Sequence, residues 1–161
     1  MKRFGIGLAA ACMVLGIMTD EAQMQDTTTD AEAAAKQLID DFFVAFNAED
    51  NDALQKIANY PHSFLLGNGR VITAKSADEL VMNFDSMKER EGWHHSTLDA
   101  YKVCQSSAEK VHVELTFSRY KEDGTNYWTV PALWIVTKQD DKWGIQFRSL
   151  MPATQGSRVS S

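Results

Sequence analysis

Four stretches near the C-terminal end decide the fold: WHHSTLDAYKVC at 93–104, KVHVELTFSRY at 110–120, YWTVPALWIVTK at 127–138 and KWGIQFRSL at 142–150. Each combines apolar and polar residues in the pattern of a β-strand, and short polar turns separate them. Patterns that predict helices come before these strands. Helices followed by antiparallel strands are typical of an α+β domain in which the sheet curls over the helices. Helices close such a sheet at one end, so the sequence predicts a cavity at the other, without naming its ligand.

The strand at 110–120 predicts one buried face and one wetter face. Its apolar face carries Val111, Val113, Leu115 and Phe117, and Arg119 continues that face. A guanidinium at the rim of a core needs an acidic partner or an anionic ligand. Arg148 lies near the end of the last strand, so Arg119 and Arg148 together could hold a carboxylate. The alternative is that both side chains reach the surface and pair with Asp or Glu.

The strand at 127–138 leaves neither face polar, which predicts a central strand covered on both sides. Pro131 inside it predicts a bulge that reverses the alternation of side chains. The outer face of the sheet around Trp134 and Ile135 is predicted to form a homodimer interface, because an exposed apolar patch of that extent favours aggregation. Trp128 is a candidate wall of the pocket, although tryptophans are more often core or interface residues.

Three helices are predicted before these strands. Residues 29–32, Thr-Asp-Ala-Glu, form a capping box, and the helix that follows carries Phe42, Phe43 and Phe46 on one apolar stripe. Asp50 or Asn51 can cap a short second helix, which Pro61 is expected to stop.

The segment between the second helix and the long strands predicts a hairpin and a third helix. Two short apolar runs, 63–66 and 70–73, flank a Gly-Asn-Gly turn and read as the hairpin. A second capping box at 76–79 opens the third helix, and Gly92 ends it.

Composition excludes several classes of protein. The chain has 161 residues, 44% hydrophobic and 24% charged, which fits one globular domain. The net charge is -6 and the basic residues are scattered, so a nucleic-acid partner is not expected. Cys12 and Cys104 are the two cysteines, and Cys12 falls in a segment expected to be removed, so no internal disulfide is predicted. The four histidines match no zinc spacing, and no metal or cofactor is predicted.

The N-terminus has the features of an export signal. Lys2 and Arg3 precede an uncharged run at 4–18, which is shorter than the roughly 20 residues of a stable membrane span. We divide the chain into an export signal at 1–22, a linker at 23–29, a folded domain at 30–152 and a flexible tail at 153–161. The predicted location is the periplasm or the outside of the cell. The alternatives are a lipoprotein anchored through Cys12 and a cytoplasmic protein.

The order of these elements resembles the nuclear transport factor 2-like superfamily, over about residues 31–152. That group includes ketosteroid isomerase, scytalone dehydratase and the SnoaL-type polyketide cyclases. Its uncharacterised bacterial members are similar in four motifs, which are Tyr60-Pro61-His62, Gly92-Trp93-His94, Phe117-x-Arg119-Tyr120 and Trp143-Gly144-Ile145-x-x-Arg148-Ser149. The resemblance implies a cone-shaped curved antiparallel sheet packed around an N-terminal helix, with two further helices.

The resemblance does not carry over an active site. Isomerases of this superfamily use a carboxylate base and hydroxyl or acid donors inside the cone. In this chain phenylalanines occupy the first-helix positions where a tyrosine donor would lie, and residues 62–67 contain no carboxylate. We therefore expect a small-molecule-binding domain without catalysis, with a partly apolar pocket for an anionic or carboxylate-bearing ligand. The alternatives are an isomerase, cyclase or dehydratase with His62 as proton acceptor, and a dimerising interaction module with a vestigial cavity.

The predicted ligand-binding residues share a position near the mouth of the cone or on its inner face. They are His62, His94, Arg119, Trp128 and Arg148. His62 could equally be a half-buried histidine bonded to the backbone. His94 and His95 are neighbours on a strand, so they face opposite ways and cannot jointly hold one metal ion.

Overall fold

A computed structural model describes residues 15–154, and the side chains of residues 28–154. The helices and strands follow one another in the order that is predicted for this α+β domain. They are α1 (Leu15–Asn47), α2 (Asn51–Lys56), β1 (Ala58–Leu65), β2 (Val71–Ala74), a 3-10 turn (Ala77–Glu79), α3 (Phe84–Glu91), β3 (His95–Ser106), β4 (Lys110–Tyr120), β5 (Asn126–Gln139) and β6 (Lys142–Leu150).

The strands form a single six-stranded sheet in the order β2-β1-β6-β5-β4-β3. Neighbouring strands are antiparallel except β1 and β6, which run parallel and are separated in the sequence by β2, α3 and the strands β3 to β5. This arrangement confirms the predicted α+β fold, with a curved sheet wrapped around the long first helix. The four long strands match their predicted bounds to within two residues.

The core lies between α1 and the inner face of the sheet. Phe42, Phe43 and Phe46 are buried on one stripe of α1, as predicted. Phe42 and Phe43 pack against Trp134 of β5, with ring centroids 4.8 and 6.1 Å apart. Each buried aromatic side chain contributes about 1.5–3 kcal/mol through removal of apolar surface from water. The aromatic stripe therefore holds the helix inside the cone and also occupies much of its volume.

The first helix differs from the prediction at its start. It begins at Leu15, so residues 23–29 are helical rather than an irregular linker, and Thr29 does not begin the helix. Residues 1–14 of the predicted export signal, Cys12 included, lie outside the described residues. Within residues 15–154, no helix is both long enough and apolar enough to cross a membrane. Of the predicted tail, Thr154 pairs with Thr129, and residues 155–161 are not described.

The two shorter helices also differ from the prediction in their bounds. Asp50 caps α2 by accepting from the Ala53 amide at 2.9 Å, but α2 ends at Lys56 and Pro61 lies inside β1. The predicted third helix is split, because Asn83 caps a new helix by accepting from the amide of Ser86. Gly92 ends that helix in the left-handed conformation, with φ of 72°, as predicted.

The prediction for β5 is wrong in two respects. Pro131 pairs with Thr116 without a register shift, and buried and exposed residues alternate through it. The Pro131 carbonyl accepts a hydrogen bond from the Met151 amide, so the Pro131 nitrogen also points towards the end of β6. No backbone donor is needed at that end of the sheet, so proline is tolerated there. Trp134 lies on the inner face at 1% exposure, whereas Leu133 of the outer face is 38% exposed. The strand is central, but within the monomer it is covered on one side only.

Candidate functional site

A β-bulge in β6 turns Arg148 into the core. Ile135 pairs with Phe147 and Val136 with Ile145, which leaves Gln146 as an extra residue on β6. Such an insertion reverses the alternation of side chains beyond it. Ile145 and Arg148 therefore both face inward, although simple alternation would put them on opposite faces.

The Arg148 guanidinium is enclosed by aromatic rings. Its Cζ lies 3.9 Å from the centre of the Phe64 ring, 4.7 Å from that of Phe42 and 5.3 Å from that of Trp134. The side chain is only 7% exposed. Aromatic faces attract a cation, and this stabilises the guanidinium by about 2 kcal/mol when water is excluded.

No carboxylate neutralises Arg148 among the described residues. Its Nε donates to Nε2 of His62 at 3.2 Å, and its terminal nitrogens contact no acceptor of residues 28–154. Burial, and then the charge of Arg119, lower the pKa of Arg148 to about 9. The guanidinium is therefore protonated at neutral pH while buried without an anion. A buried charge of this kind is costly unless something of opposite charge pairs with it.

His62 holds the guanidinium in place. Its Nδ1 lies 2.7 Å from the Ile145 carbonyl oxygen, and since a carbonyl only accepts, Nδ1 carries the proton. Nε2 then accepts from Arg148. Burial, and then the charge of Arg148, lower the pKa of His62 to about 3, so the ring is neutral at physiological pH. Both ring nitrogens are engaged, which leaves His62 as a positioning residue behind Arg148.

A cavity of about 120 Å³ lies in front of the guanidinium. Its lining is mostly aromatic and aliphatic, with Ser96, Arg119, Trp134 and Arg148 as its polar members. His62 lines a separate void of only about 10 Å³ on the other side of Arg148. Phe42 and Phe43 narrow the cone without filling it. The pocket is therefore smaller than the 300–1,000 Å³ that is usual for drug-sized ligands.

Arg119 also lines the cavity, but it is paired. Its Nη1 donates to Oε2 of Glu91 at 2.8 Å, and the Tyr127 hydroxyl donates to the same oxygen at 3.1 Å. The Arg119 Cζ lies 5.1 Å from the centre of the Trp128 ring. Its Nε is buried and has no acceptor. The predicted pairing of Arg119 with an acidic residue is thus observed, while Arg148 has none within residues 28–154.

The predicted site residues do not all meet. Arg119 and Arg148 line the same cavity, and His62 supports it from behind. Trp128 stacks on Arg119 outside the cavity lining. His94 is exposed and precedes β3, which begins at His95. Its Nδ1 lies 3.0 Å from Nδ1 of His95, so the prediction that the two rings face opposite ways is wrong. In the part of the chain that is described, no cluster of three or more His, Cys, Asp or Glu side chains could hold a metal ion.

Sequence reasoning missed the residues that complete the site from distant elements. Phe64 of β1 covers the guanidinium, Trp134 of β5 was assigned to the wrong face, and Glu91 at the end of α3 neutralises Arg119. Of these three residues, only Trp134 could have been placed from the sequence. If side chains alternate without a bulge from Val130 through Pro131, Trp134 lies on the inner face of the sheet. The contacts of Phe64 and Glu91 come from tertiary packing.

Comparison with known proteins supports the fold and leaves the chemistry open. The family described as NTF2-like protein (DUF6841) matches residues 30–150. No protein of curated function matches the chain.

Solved structures are similar in fold and low in identity. An NTF2-like protein with a cystatin-like fold from Novosphingobium aromaticivorans has 12% identity and a TM-score of 0.68, and the match covers 91% of this chain and 96% of that one. A protein of unknown function from Nostoc punctiforme has 16% identity and a TM-score of 0.63, over 80% and 95% of the two chains. A second Novosphingobium aromaticivorans protein, proposed to be an aromatic ring hydroxylase, has 15% identity and a TM-score of 0.57, over 80% and 94%. At these identities the likeness shows the fold alone.

Proposed function

This chain belongs to the NTF2-like family, and we propose that it is a non-catalytic binding domain for a small carboxylate-bearing compound. One observation carries the proposal: the buried Arg148 guanidinium has no acidic partner among the described residues and borders a cavity. A carboxylate can accept two parallel hydrogen bonds from the terminal nitrogens of an arginine. Such a ligand would supply the missing negative charge, and the aromatic lining would contact its apolar part.

The geometry argues against the enzyme alternative. A general base needs a free lone pair and a pKa near the working pH. His62 uses its Nε2 lone pair to accept from Arg148, and its pKa is about 3. None of the residues that line the cavity is an Asp or a Glu. Binding without proton transfer is the simpler use of such a site.

The test compares a carboxylate with its neutral analogue. We expect butanoate to bind the purified protein about tenfold more tightly than butanamide in calorimetric titration, because charge-assisted hydrogen bonds are stronger than neutral ones. Arg148→Met should abolish butanoate binding. Arg70→Met, which changes an exposed arginine of the β1–β2 turn, is the matched control and should bind normally. Equal binding of butanoate to both variants would refute the proposal.

A second proposal concerns the outer face of the sheet, where we infer contact with a second copy of the chain. A groove of about 540 Å³ crosses this face, and Pro131, Leu133, Met151 and the free Cys104 are among the residues that line it. An apolar groove on the outside of a sheet favours a protein partner. Light scattering on the purified protein should give the mass of a dimer, and Leu133→Glu should give a monomer. A wild-type protein that is monomeric at high micromolar concentration would contradict this proposal.

The export of the protein also stays a proposal. It rests on the basic residues Lys2 and Arg3 and the uncharged run at 4–18. Fractionation of cells expressing the full chain, with mass spectrometry of its N-terminus, tests it directly. A full-length protein retained in the cytoplasm would contradict it.

A further inference from the structure

Two positive charges border the cavity. Arg119 and Arg148 are in its lining, and no Asp or Glu is among the lining residues in the described part of the chain. Burial is the main cause that lowers the pKa of Arg148, and the positive charge of Arg119 is the second, so the two guanidinium groups act on one another. The rest of the lining is mostly aromatic and aliphatic. Such surroundings screen charges less than water does, so a charge close to the cavity acts on any anion inside it.

Glu91 balances one of these charges from outside the lining. Its Oε2 accepts from Arg119 Nη1 at 2.8 Å and from the Tyr127 hydroxyl at 3.1 Å, so the carboxylate is held at the guanidinium by two elements of the fold. The ion pair is largely buried, with 14% of the Arg119 side chain and 24% of the Glu91 side chain exposed. A partly buried pair is screened less than a surface pair. Of these three charged groups, Arg148 keeps a charge that the other two do not balance.

We infer that Glu91 determines the charge of the ligand and makes the cavity selective for monoanions. The inference rests on the proposed function, because Arg148 is the group that the anion neutralises. A single negative charge balances Arg148, whereas the second charge of a dianion would be enclosed without a partner, which is costly. The ligand is therefore a short monocarboxylate, and dicarboxylates and dianionic phosphate esters bind poorly. Arg119 contributes through its charge, because its Nε is closed off from solvent.

Two small anions of equal size separate the effect of charge from that of shape. Methanesulfonate and sulfate have the same number of non-hydrogen atoms in the same tetrahedral arrangement, but the first is a monoanion and the second a dianion at neutral pH. A cavity of about 150 Å³ accommodates benzene, so roughly five non-hydrogen atoms fit the present cavity of about 120 Å³. Both anions are within this size, and so is propanoate, which represents the carboxylate.

Calorimetric titration of the wild type and of Glu91→Gln at one ionic strength tests the inference, with sulfate measured by competition against propanoate. Glutamine keeps the size of the side chain and an oxygen for Arg119, so the variant differs in charge. The potential of Glu91 acts on twice the charge in a dianion, so the fold-change for sulfate is the square of that for a monoanion. We expect propanoate and methanesulfonate to bind Glu91→Gln about threefold more tightly than the wild type, and sulfate about tenfold more tightly. The wild type should bind methanesulfonate about tenfold more tightly than sulfate.

Two further variants separate the charge of Glu91 from its packing. Glu89→Gln is the matched control, because it removes the same charge from an exposed position of α3. Water screens that charge, so each affinity should change by less than about twofold. Glu91→Asp keeps the charge on a shorter side chain and should keep the wild-type preference for methanesulfonate over sulfate. A merely structural role of Glu91 would move all three ligands by the same factor.

The outcomes distinguish this inference from the proposed function. A wild type that binds sulfate as tightly as methanesulfonate would overturn the inference without any variant. Equal fold-changes of the two anions in Glu91→Gln, or no change in either, would also overturn it. In both cases, propanoate binding that depends on Arg148 leaves the carboxylate site standing. If propanoate binds neither the wild type nor Glu91→Gln, the proposed function fails together with the inference.

Discussion

Replacing Arg148 by methionine should stabilise the ligand-free protein while it removes ligand binding. Arg148 is buried without an acidic partner in residues 28–154, and methionine has a similar length without the charge. Exchange of a buried charge for an apolar side chain of similar volume is often neutral or stabilising. The same residue is thus expected to reduce stability and to create the binding site.

The magnitude follows from the contacts of the guanidinium. Lowering the pKa of Arg148 from 12.5 to about 9 corresponds to about 5 kcal/mol of unfavourable free energy for the charged side chain. Loss of the aromatic contacts offsets about 2 kcal/mol of this, and the acceptor left unpaired on His62 about 1 kcal/mol. The net gain for Arg148→Met is about 2 kcal/mol, which corresponds to about 4–8 °C in Tm for a domain of this size.

The assay is urea denaturation of protein that has been unfolded, dialysed and refolded, so that any bound compound is removed. Arg70→Met should lie within about 0.5 kcal/mol of the wild type, because its side chain is exposed. Arg119→Met should destabilise the protein by about 1 kcal/mol or more, because it leaves Glu91 without its partner. If Arg148→Met destabilises the ligand-free protein by more than 1 kcal/mol, the guanidinium is satisfied in a way that these contacts do not describe.

Three further predictions concern stability and charge. Gly144→Ala should cost about 2 kcal/mol in urea denaturation, because its Cβ would lie 2.5 Å from Oδ1 of Asn59, whereas Gly69→Ala in an open turn should cost about 1 kcal/mol through its φ of +82° alone. Burial lowers the pKa of His62 from 6.5 to about 3, so the unfolded chain binds the extra proton and stability falls as pH drops from 6.5 towards 3. At pH 4 the protonation of His62 in the unfolded chain lowers the free energy of unfolding by about 3 kcal/mol. His62→Gln, whose side chain can both donate and accept, should remove this loss. A variant that keeps the same acid sensitivity would contradict the role given to His62. Glu91→Gln leaves its arginine partner uncompensated and should raise butanoate affinity about threefold in calorimetry, so an unchanged or weaker affinity would count against a role for that arginine near the ligand.

Local pattern was sufficient to predict most of the architecture. The alternation in the strand at 110–120 put Arg119 on the buried face, and the phenylalanines of α1 were correctly assigned to the inside. The superfamily predicted from the order of elements is confirmed by the family match over residues 30–150. Errors occurred at Pro131, where the sequence predicts a bulge that the structure lacks, and at Asn83, where a new cap interrupts the predicted third helix. Neither the smooth passage of β5 through Pro131 nor the new cap at Asn83 follows from propensity alone.

By itself the sequence determined the class of fold and the inner faces of α1 and β4. It also placed one arginine near the end of β4 and one near the end of β6. These features depend on periods of 3.6 and 2 residues, which can be read over short distances. Only the tertiary structure decided that Arg148 faces inward, because one extra residue at Gln146 reverses the alternation in β6. It also decided which arginine is neutralised, since Glu91 reaches Arg119 from α3 and no acidic side chain within residues 28–154 pairs with Arg148. Charge balance inside a core is set by residues that are far apart in sequence, so a local pattern cannot predict it.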